Sequence, residues 1–197
     1  MANTSTSTKA LIGALLAGSV GVIIFLFVHL SGDPSKPVSI GTAKAAACTK
    51  GEKCMPDVRF IDTNGVAYTH ESLHGKVVVV NFWATWCKPC QKEIPAFSKV
   101  YDQYKDKGVV FLGVLTGDPA DSNELLNFAS DNMMTYPIVR ESSDIRMSFI
   151  DDMDNLPTTL IFDRGGKRVY GRAGGLSEQR LAELIEPLTK QAVPAKI

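Results

Sequence analysis

Two cysteines are the residues whose type and spacing most clearly suggest chemistry. Cys87 and Cys90 are separated by Lys88 and Pro89 in the segment "FWATWCKPCQKEIP". Cysteines at this spacing occur as half of a zinc site, as a structural disulfide, or as two thiols that are alternately oxidised and reduced. The segments on either side decide which of these uses applies.

A strand and a helix flank the pair. "VVVVNFWA" (Val77 to Ala84) is short, β-branched and almost wholly apolar, which is typical of a strand buried on both faces. From Cys87 to about Lys105, apolar residues recur at three- and four-residue spacing, which predicts an amphipathic helix. Cys87 therefore lies where a strand ends and a helix begins. Backbone N–H groups at a helix N-terminus stabilise negative charge, so this position favours the thiolate of Cys87.

The two residues between the cysteines also suit a redox pair. Lys88 adds a positive charge beside the Cys87 thiolate, and Pro89 has a fixed φ angle that suits the first turn of a helix. Cys90, one turn further along, can attack a mixed disulfide formed at Cys87. A purely structural disulfide would close too short a loop to add much stability.

A zinc site would need the other two cysteines, Cys48 and Cys54, as well. Five residues separate them, which is wider than the usual spacing of zinc-binding pairs, and a buried strand beside Trp86 is unlike a zinc knuckle. We therefore expect redox chemistry at Cys87 and Cys90 and no metal at the four cysteines.

Strand and helix patterns alternate through the rest of the domain. Apolar runs flank Asn64 and Gly65 in "VRFIDTNGVAY", which predicts a hairpin. "VVFLGVL" predicts a second buried strand, and Asp121 three residues before Glu124 predicts a capped helix start. "TTLIFD" and "KRVYGR" predict a strand–turn–strand pair, followed by a closing helix capped by Ser177. These elements together predict a three-layer α/β domain with a mixed β-sheet flanked by helices.

The segment "FWATWCKPCQKEIP" resembles the active-site segment of thioredoxin-fold proteins, in particular the TlpA/ResA branch of membrane-anchored extracytoplasmic thiol-disulfide oxidoreductases. The likeness continues through "FIDTNGVAYTHESLHGKVVVVNFWATWC", "NLPTTLIFDRGGK" and the final "LIEPL", and covers nearly everything from Met55 to Leu188. These motifs in combination are far more specific than a lone Cys-x-x-Cys. The resemblance implies a thioredoxin-like fold and a reaction that needs no cofactor beyond the two thiols.

The resemblance also assigns roles to individual residues. Cys87 would be the exposed nucleophile, and Cys90 the thiol that resolves the mixed disulfide. Pro157 in "NLPTT" matches a cis-proline that faces the cysteine pair, and Leu156 would offer its backbone to an extended substrate peptide. The same stretch also fits the start of a strand, and both can hold together. The residues expected to contact the substrate are Trp86, Lys88, Pro89, Leu156 and Pro157.

Two positions near the cysteines carry further information. Cytoplasmic thioredoxins have a buried Asp where this chain has Asn81, and an Asn side chain cannot accept a proton as a base. Glu93 lies three residues after Cys90 on the same helix face, where the TlpA/ResA branch also has Glu. We expect Glu93 to be the base that deprotonates Cys90. The alternative is a solvated glutamate on the surface of an amphipathic helix. Pro95 matches the helix-kinking proline of the family.

The second cysteine pair, Cys48 and Cys54 in "CTKGEKC", lies between the predicted tether and the domain. We expect a small structural disulfide that holds the N-terminal extension to the domain, worth about 2.4 kcal/mol if unstrained. The alternative is a redox role, in which the pair relays electrons or protects the active pair.

Metal binding by histidines is a weaker possibility. His70 and His74 are spaced for one helix face, but no cysteine or acidic cluster lies near them in sequence, so an ordinary surface turn is favoured. The copper-delivery relatives of this fold have a CxxxC and a downstream His, and this chain has neither.

The N-terminal region predicts a membrane anchor. "ALIGALLAGSVGVIIFLFVHL" (10–30) contains no acidic or strongly basic residue and, as a helix, would span about 30 Å of bilayer. A cleaved signal peptide is the alternative, but the run is long for one and the Ala-x-Ala candidates lie well downstream. All four cysteines follow the span, and an even number suits an oxidising compartment. We therefore expect a single-pass protein of the bacterial cytoplasmic (inner) membrane with its catalytic domain on the periplasmic, extracytoplasmic side.

The predicted organisation has five parts: a cytoplasmic tail (1–9), the anchor (10–30), a flexible tether (31–47), a thioredoxin-like domain (48–190) and a C-terminal tail (191–197). The chain has 21 basic and 21 acidic residues among its 197, so no basic excess suggests nucleic acid as a partner.

The expected function is reduction of disulfides in client proteins. The resemblance suggests apocytochrome c or copper-site cysteines as clients, within cytochrome c biogenesis or assembly, and a membrane dithiol carrier as the electron donor. A disulfide-introducing oxidase of the same fold is one alternative, and a module that holds metal or thiols without catalysis is another. A peroxide-reducing enzyme would need a peroxidatic cysteine in a different local motif, which the sequence lacks.

Overall fold

The computed structural model describes residues 53–193. The predicted anchor, tether, Cys48 and the last four residues lie outside this part. The seven strands of the described part are β1 (Phe60–Ile61), β2 (Ala67–Tyr68), β3 (Val77–Trp83), β4 (Val109–Leu115), β5 (Ile138–Arg140), β6 (Thr158–Phe162) and β7 (Arg168–Ala173). Its five α-helices are α1 (His70–Leu73), α2 (Lys88–Tyr104), α3 (Ser122–Asp131), α4 (Ser143–Phe149) and α5 (Glu178–Thr189). Single 3-10 turns follow α2 and α4, at Lys105–Lys107 and Ile150–Asp152.

The five longer strands form one mixed sheet in the order β5-β4-β3-β6-β7. β3, β4 and β5 run parallel, whereas β6 is antiparallel to β3 and β7 is antiparallel to β6. The mixed sheet predicted from the sequence is therefore confirmed. β3 lies at the centre and is buried along its whole length, which explains its uninterrupted apolar sequence.

Alternate residues of β3 face two separate hydrophobic cores, because side chains along a strand point to opposite faces. Val77, Val79 and Trp83 pack with apolar residues of α2 and α5 on one face of the sheet. Val78, Val80 and Phe82 pack on the other face with the N-terminal hairpin, α1 and α4. The three predicted layers follow from this division.

Local sequence patterns set several element boundaries. Asp121 accepts hydrogen bonds from the backbone N–H groups of Asn123 and Glu124, and the Glu124 side chain accepts one from the Asp121 N–H, as the capping box predicts. Ser177 caps α5. The predicted turn at Asn64 and Gly65 joins β1 and β2, each of which has only two residues.

An ion pair fixes the start of β7 against the 3-10 turn after α4. Arg168 donates from Nη1 and Nη2 to the two carboxylate oxygens of Asp152, at 2.9 and 2.7 Å. Both side chains are largely buried, with 15% of Arg168 and 19% of Asp152 exposed. Such a two-point contact holds both groups in one geometry.

No helix within residues 53–193 is long and apolar enough to cross a bilayer. The predicted span at 10–30 lies outside that range and stays a prediction, as do the domain boundaries.

Candidate active site

Cys87 is the N-cap of α2, directly after the loop that follows β3, as the strand and helix patterns predicted. Its Sγ accepts a hydrogen bond from the backbone N–H of Cys90 at 3.3 Å. The two sulfur atoms are bonded to each other at 2.03 Å, so the structure is the oxidised form. Cys90 is completely buried, and Cys87 is 5% exposed. The expected exposure of Cys87 is wrong for this oxidised form, because its sulfur is bonded to that of Cys90, although Cys87 is the more accessible of the two. Its role as the nucleophile stays a prediction.

A carboxylate from the next strand holds the loop that leads to Cys87. Asp118, in the loop after β4, accepts hydrogen bonds from the backbone N–H and the hydroxyl of Thr85, at 2.6 and 2.7 Å. Gln91, from the first turn of α2, donates to the Thr85 carbonyl at 2.6 Å. Thr85 is therefore held from both sides, two residues before Cys87.

Asp118 is a site residue that the sequence reasoning missed. The sequence signal for Asp118 is its position, just past the carboxyl end of a buried strand. Parallel neighbouring strands end at the same edge of a sheet, and the parallel strand β3 leads directly to the cysteines. An acidic residue just after β4 is therefore expected to reach the loop before Cys87.

The loop before β6 lies beside the same end of β3. The Leu156–Pro157 peptide bond is cis, as the resemblance implied. Thr158, the next residue, pairs with Phe82 of β3, which lies five residues before Cys87. The Pro157 carbonyl accepts a hydrogen bond from the Gly174 N–H at 2.7 Å. The topology thus brings Leu156 and Pro157 to the edge of the sheet where the cysteines lie.

The other residues expected to contact the substrate form an exposed rim beside the disulfide. Trp86 is 61% exposed, an unusual value for so large an apolar side chain. Lys88 and Pro89 are also exposed, and the Lys88 ammonium donates to Gln91 at 3.3 Å. Their role in binding a substrate stays a prediction.

Glu93 is buried, with only 4% of its surface exposed, so the alternative of a solvated surface glutamate is wrong. Its Oε1 accepts a hydrogen bond from the Asn81 amide at 2.9 Å, and its Oε2 accepts one from the backbone N–H of Leu176 at 3.0 Å. None of the ion pairs in the described part of the chain includes Glu93. Burial without a cation raises the pKa of Glu93 from 4.5 to about 7, and the two hydrogen bonds limit the rise.

Asn81 and Glu93 are therefore parts of one arrangement. Asn81 is 1% exposed and lies in the middle of β3. Its Nδ2 also donates to the Oγ1 of Thr159 on β6, at 3.2 Å. The carboxyl group near the cysteines comes from α2, and the strand contributes a neutral amide that binds it.

The second cysteine pair lies only partly within the described residues. Cys54 is disulfide-bonded, and its predicted partner, Cys48, lies outside. Cys54 forms an isolated bridge with Lys167, and the Arg168 N–H donates to the Lys53 carbonyl at 2.8 Å. The chain before β1 is thus tied to the start of β7. The pairing of Cys54 with Cys48 and its structural role stay predictions.

His70 and His74 lie at the first residue and the C-cap of the one-turn helix α1, as the short turn predicted. Within residues 53–193, no group of three or more His, Cys, Asp or Glu side chains is placed to hold a metal ion.

A groove of about 490 Å³ lies away from the cysteine pair, between the N-terminal hairpin, β5, α3 and α4. Its lining is mostly apolar and includes Ile61, Leu125, Ile138 and Ile145. None of the predicted site residues lines it. Thiol–disulfide exchange between two proteins requires contact between a thiolate and a disulfide sulfur rather than a deep pocket, so the groove is not assigned to the reaction.

The fold and the site together define a class of protein. A redox-capable disulfide at a helix N-terminus, beside a cis-proline on a mixed five-stranded sheet, is the arrangement of a thioredoxin-fold thiol-disulfide oxidoreductase. Residues 52–170 match the AhpC/TSA family, and the chain belongs to this family.

Similar proteins support the same class. The chain is 33% identical over 133 residues to the thiol-disulfide oxidoreductase ResA of Geobacillus kaustophilus, an alignment that covers 68% of this chain and 75% of that one. ResA of Bacillus cereus is 28% identical over 182 residues, or 92% of this chain and 95% of that one. A thioredoxin family thiol:disulfide interchange protein from Chlorobium tepidum TLS has the same fold, with a TM-score of 0.63 at 22% identity, covering 72% of this chain and 99% of that chain. The chain is therefore a thiol-disulfide oxidoreductase.

Proposed function

We propose that this oxidoreductase is anchored in the bacterial cytoplasmic membrane by residues 10–30 and reduces disulfides in extracytoplasmic client proteins. The observation that carries the proposed chemistry is the burial of Glu93 one helical turn after Cys90, with a pKa of about 7. A carboxyl group with this pKa can accept a proton from a thiol near neutral pH and return it to water.

The reaction begins with the enzyme as a dithiol. The Cys87 thiolate attacks one sulfur of the client disulfide, which forms a mixed disulfide and expels the other client sulfur as a thiolate. Glu93 then accepts the proton of the Cys90 thiol. The Cys90 thiolate attacks the Cys87 sulfur, forms the Cys87–Cys90 disulfide and releases the second client thiolate. Two electrons pass to the client, and the released thiolates take up protons from solvent.

The surroundings of Cys87 support its part in this sequence. Its position as the N-cap of α2 places backbone N–H groups next to the sulfur, and Lys88 follows directly. Both features stabilise a thiolate as attacking and as leaving group. The exposed Trp86 and the half-buried Leu156, beside the buried Pro157 at the same edge, supply a surface on which an extended client segment can lie.

The cellular setting is inferred from the sequence. Reduction in an oxidising compartment requires electrons from elsewhere, and a membrane dithiol carrier next to the anchored domain would supply them. The proposed clients are apocytochrome c or proteins with copper-site cysteines, because both need reduced thiols before their cofactors bind.

The Cys87–Cys90 reduction potential, measured in the full-length protein against glutathione, tests the direction of the reaction. A value near about −270 mV supports a reductase, whereas one near about −120 mV indicates an oxidase and contradicts the proposal. A Cys87→Ser variant should fail to restore function in cells that lack the protein. Restoration by this variant would indicate a non-catalytic binding module instead.

The proposed location is tested by labelling in intact cells. A membrane-impermeant maleimide should modify Cys87 after mild reduction in the full-length protein, with a Cys87→Ser variant as the control. Labelling that requires disruption of the cytoplasmic membrane contradicts an extracytoplasmic domain.

A further inference from the structure

The buried amide of Asn81 has one polar atom with no partner. Its Nδ2 donates to both Glu93 and Thr159, at 2.9 and 3.2 Å. Its Oδ1 is buried and makes no hydrogen bond. Buried polar atoms in native proteins are normally paired, so an unused acceptor beside a titratable carboxyl group requires an explanation.

The two protonation states of Glu93 need opposite partners. A carboxylate only accepts hydrogen bonds, and the Asn81 Nδ2 and the Leu176 N–H both donate to it. A carboxylic acid carries an O–H group that must find an acceptor. In the present arrangement a proton on Oε1 would face the Nδ2 donor. Rotation of the Asn81 amide by about 180° would replace that donor with Oδ1, which is an acceptor.

Thr159 is compatible with both orientations. Its hydroxyl now accepts from Nδ2, and after rotation it can donate to Oδ1, since a hydroxyl group both donates and accepts. Thr159 is 1% exposed and Asn81 is 1% exposed, so water has little access to either group from the surface. The three side chains form a closed set in which one rotation reverses every hydrogen bond.

We propose that Asn81 is the positioning residue that lets Glu93 gain and lose a proton inside the protein. Its amide presents Nδ2 to the carboxylate and, after rotation, Oδ1 to the carboxylic acid. The contribution of this rotation to catalysis rests on the proposed function of Glu93. The rotation itself, coupled to the protonation of Glu93, is independent of that function.

The other groups that face Glu93 do not titrate in the same range in the oxidised protein. The cysteines of α2 are bonded to each other and carry no ionisable thiol. Burial, and then the charge of Glu93, raise the pKa of Tyr136 well above its usual range, so its phenol stays protonated. The Leu176 backbone N–H does not ionise. In this form of the protein, a titration near neutral pH at this location therefore reports Glu93.

Nuclear magnetic resonance of the full-length oxidised protein in detergent micelles tests the proposal, with ¹³C in the Glu carboxyl groups and ¹⁵N in the Asn side chains. The Glu93 carboxyl carbon and the Asn81 side-chain amide should shift with one common midpoint as pH is varied. An Asn81 amide whose signals do not follow Glu93 overturns the proposal. A bound water at Oδ1 in place of rotation would keep the Nδ2 protons against Glu93 at every pH, so nuclear Overhauser contacts between them that do not weaken below the midpoint also overturn it.

The variant Asn81→Leu removes both the donor and the acceptor at similar volume. The carboxylate loses a charge-assisted hydrogen bond and the acid loses a weaker neutral one, so the Glu93 midpoint should rise by about one pH unit, which is about tenfold in the ionisation equilibrium. An unchanged midpoint contradicts the proposal. If this variant does not fold, the common midpoint of Glu93 and Asn81 in the wild-type protein still tests the proposal.

Ser98→Ala is the matched control, because Ser98 is also buried on α2 and accepts a hydrogen bond from the Thr135 N–H at 3.2 Å. Loss of the Ser98 hydroxyl should leave the midpoint of the Glu93 pH titration unchanged. The kinetics of Glu93→Gln separate the two proposals. Unchanged disulfide exchange in that variant would refute the role of Glu93 as a base, whereas a common midpoint for Glu93 and Asn81 would still support the positioning role of Asn81.

Discussion

Asp152 and Glu93 are both largely buried carboxyl groups, and they are bound in different ways. Asp152 is paired with Arg168 through two hydrogen bonds at 2.7 and 2.9 Å. Glu93 is bound by a neutral amide and a backbone N–H, at 2.9 and 3.0 Å. A cation holds a carboxylate in its charged form, whereas neutral donors in a buried site leave the two protonation states close in free energy near neutral pH.

The contrast separates an acid with a structural role, Asp152, from an acid proposed to take part in the reaction, Glu93. Asp152 fixes the 3-10 turn Ile150–Asp152 against the first residue of β7 through its two contacts with Arg168. Glu93 lies one turn after Cys90, where a group that changes charge is useful. Substitution of the two acids should therefore produce opposite patterns of effects on activity and on stability.

The largest expected effect is on activity. Glu93→Gln keeps the shape of the side chain but cannot accept a proton, so client reduction at pH 7 should fall by about 10²–10⁴-fold. Turnover of a protein disulfide by the reduced enzyme measures this, and Asp152→Asn should stay within about twofold of wild type. Equal losses in the two variants would remove the distinction between the acids.

The second effect is on stability as a function of pH. The pKa of Glu93 is about 7 in the folded protein against an ordinary value of 4.5, so the folded state holds this proton more tightly than the unfolded state. The resulting stability is fully present below about pH 4.5 and is lost as pH rises through 7, a change of about 3 kcal/mol.

Urea unfolding of wild type and Glu93→Gln at about pH 4.5 and pH 8 measures this contribution. The difference between wild type and variant should depend on pH, with the variant relatively more stable at the higher value. A pH-independent difference would mean that Glu93 has an ordinary pKa in the folded protein.

The third effect concerns the ion pair. Asp152→Asn leaves the largely buried Arg168 without its charged partner, so the free energy of unfolding should fall by about 1–3 kcal/mol. The pH profile of client reduction should be unchanged. A displaced pH profile would show that Asp152 influences the cysteine site and is not purely structural.

A smaller effect is expected at the loop before Cys87. Asp118→Ala removes the carboxylate oxygen that accepts both hydrogen bonds from Thr85, which should lower kcat/KM for client reduction by about tenfold, because Cys87 is held less well. Thr116→Val provides a control, since Thr116 is a buried residue of the same loop whose hydroxyl donates only to the Val114 carbonyl. Equal losses in both variants would point to general disturbance of the loop.

The elements were predictable from sequence where the pattern was long or the cap was explicit. β4 has the predicted bounds, and the Asp121 capping box starts α3 as expected. β5 and α4 were not predicted, because three and seven residues are too few to show a period. Ser142 caps α4, but a single serine before a short polar run is weak evidence for a helix.

The site was predictable where chemistry is local. The cysteines and Pro157 follow from contiguous motifs. The burial of Glu93 could not be read from α2 alone, because it depends on the loop that contributes Leu176, 83 residues further along the chain. The contact between Asp118 and Thr85 likewise joins residues 33 positions apart. Only the parallel arrangement of β3 and β4 brings those two together.

The role proposed for Glu93 is that of the base that frees Cys90 to resolve the mixed disulfide. Its most direct test is the rate at which Cys90 releases a thiol ligand preloaded on Cys87, measured in a single turnover as a function of pH. In wild type this rate should rise through an inflection near pH 7, and in Glu93→Gln the inflection should disappear and the rate should become appreciable only at higher pH. The same inflection in both proteins would contradict the claim.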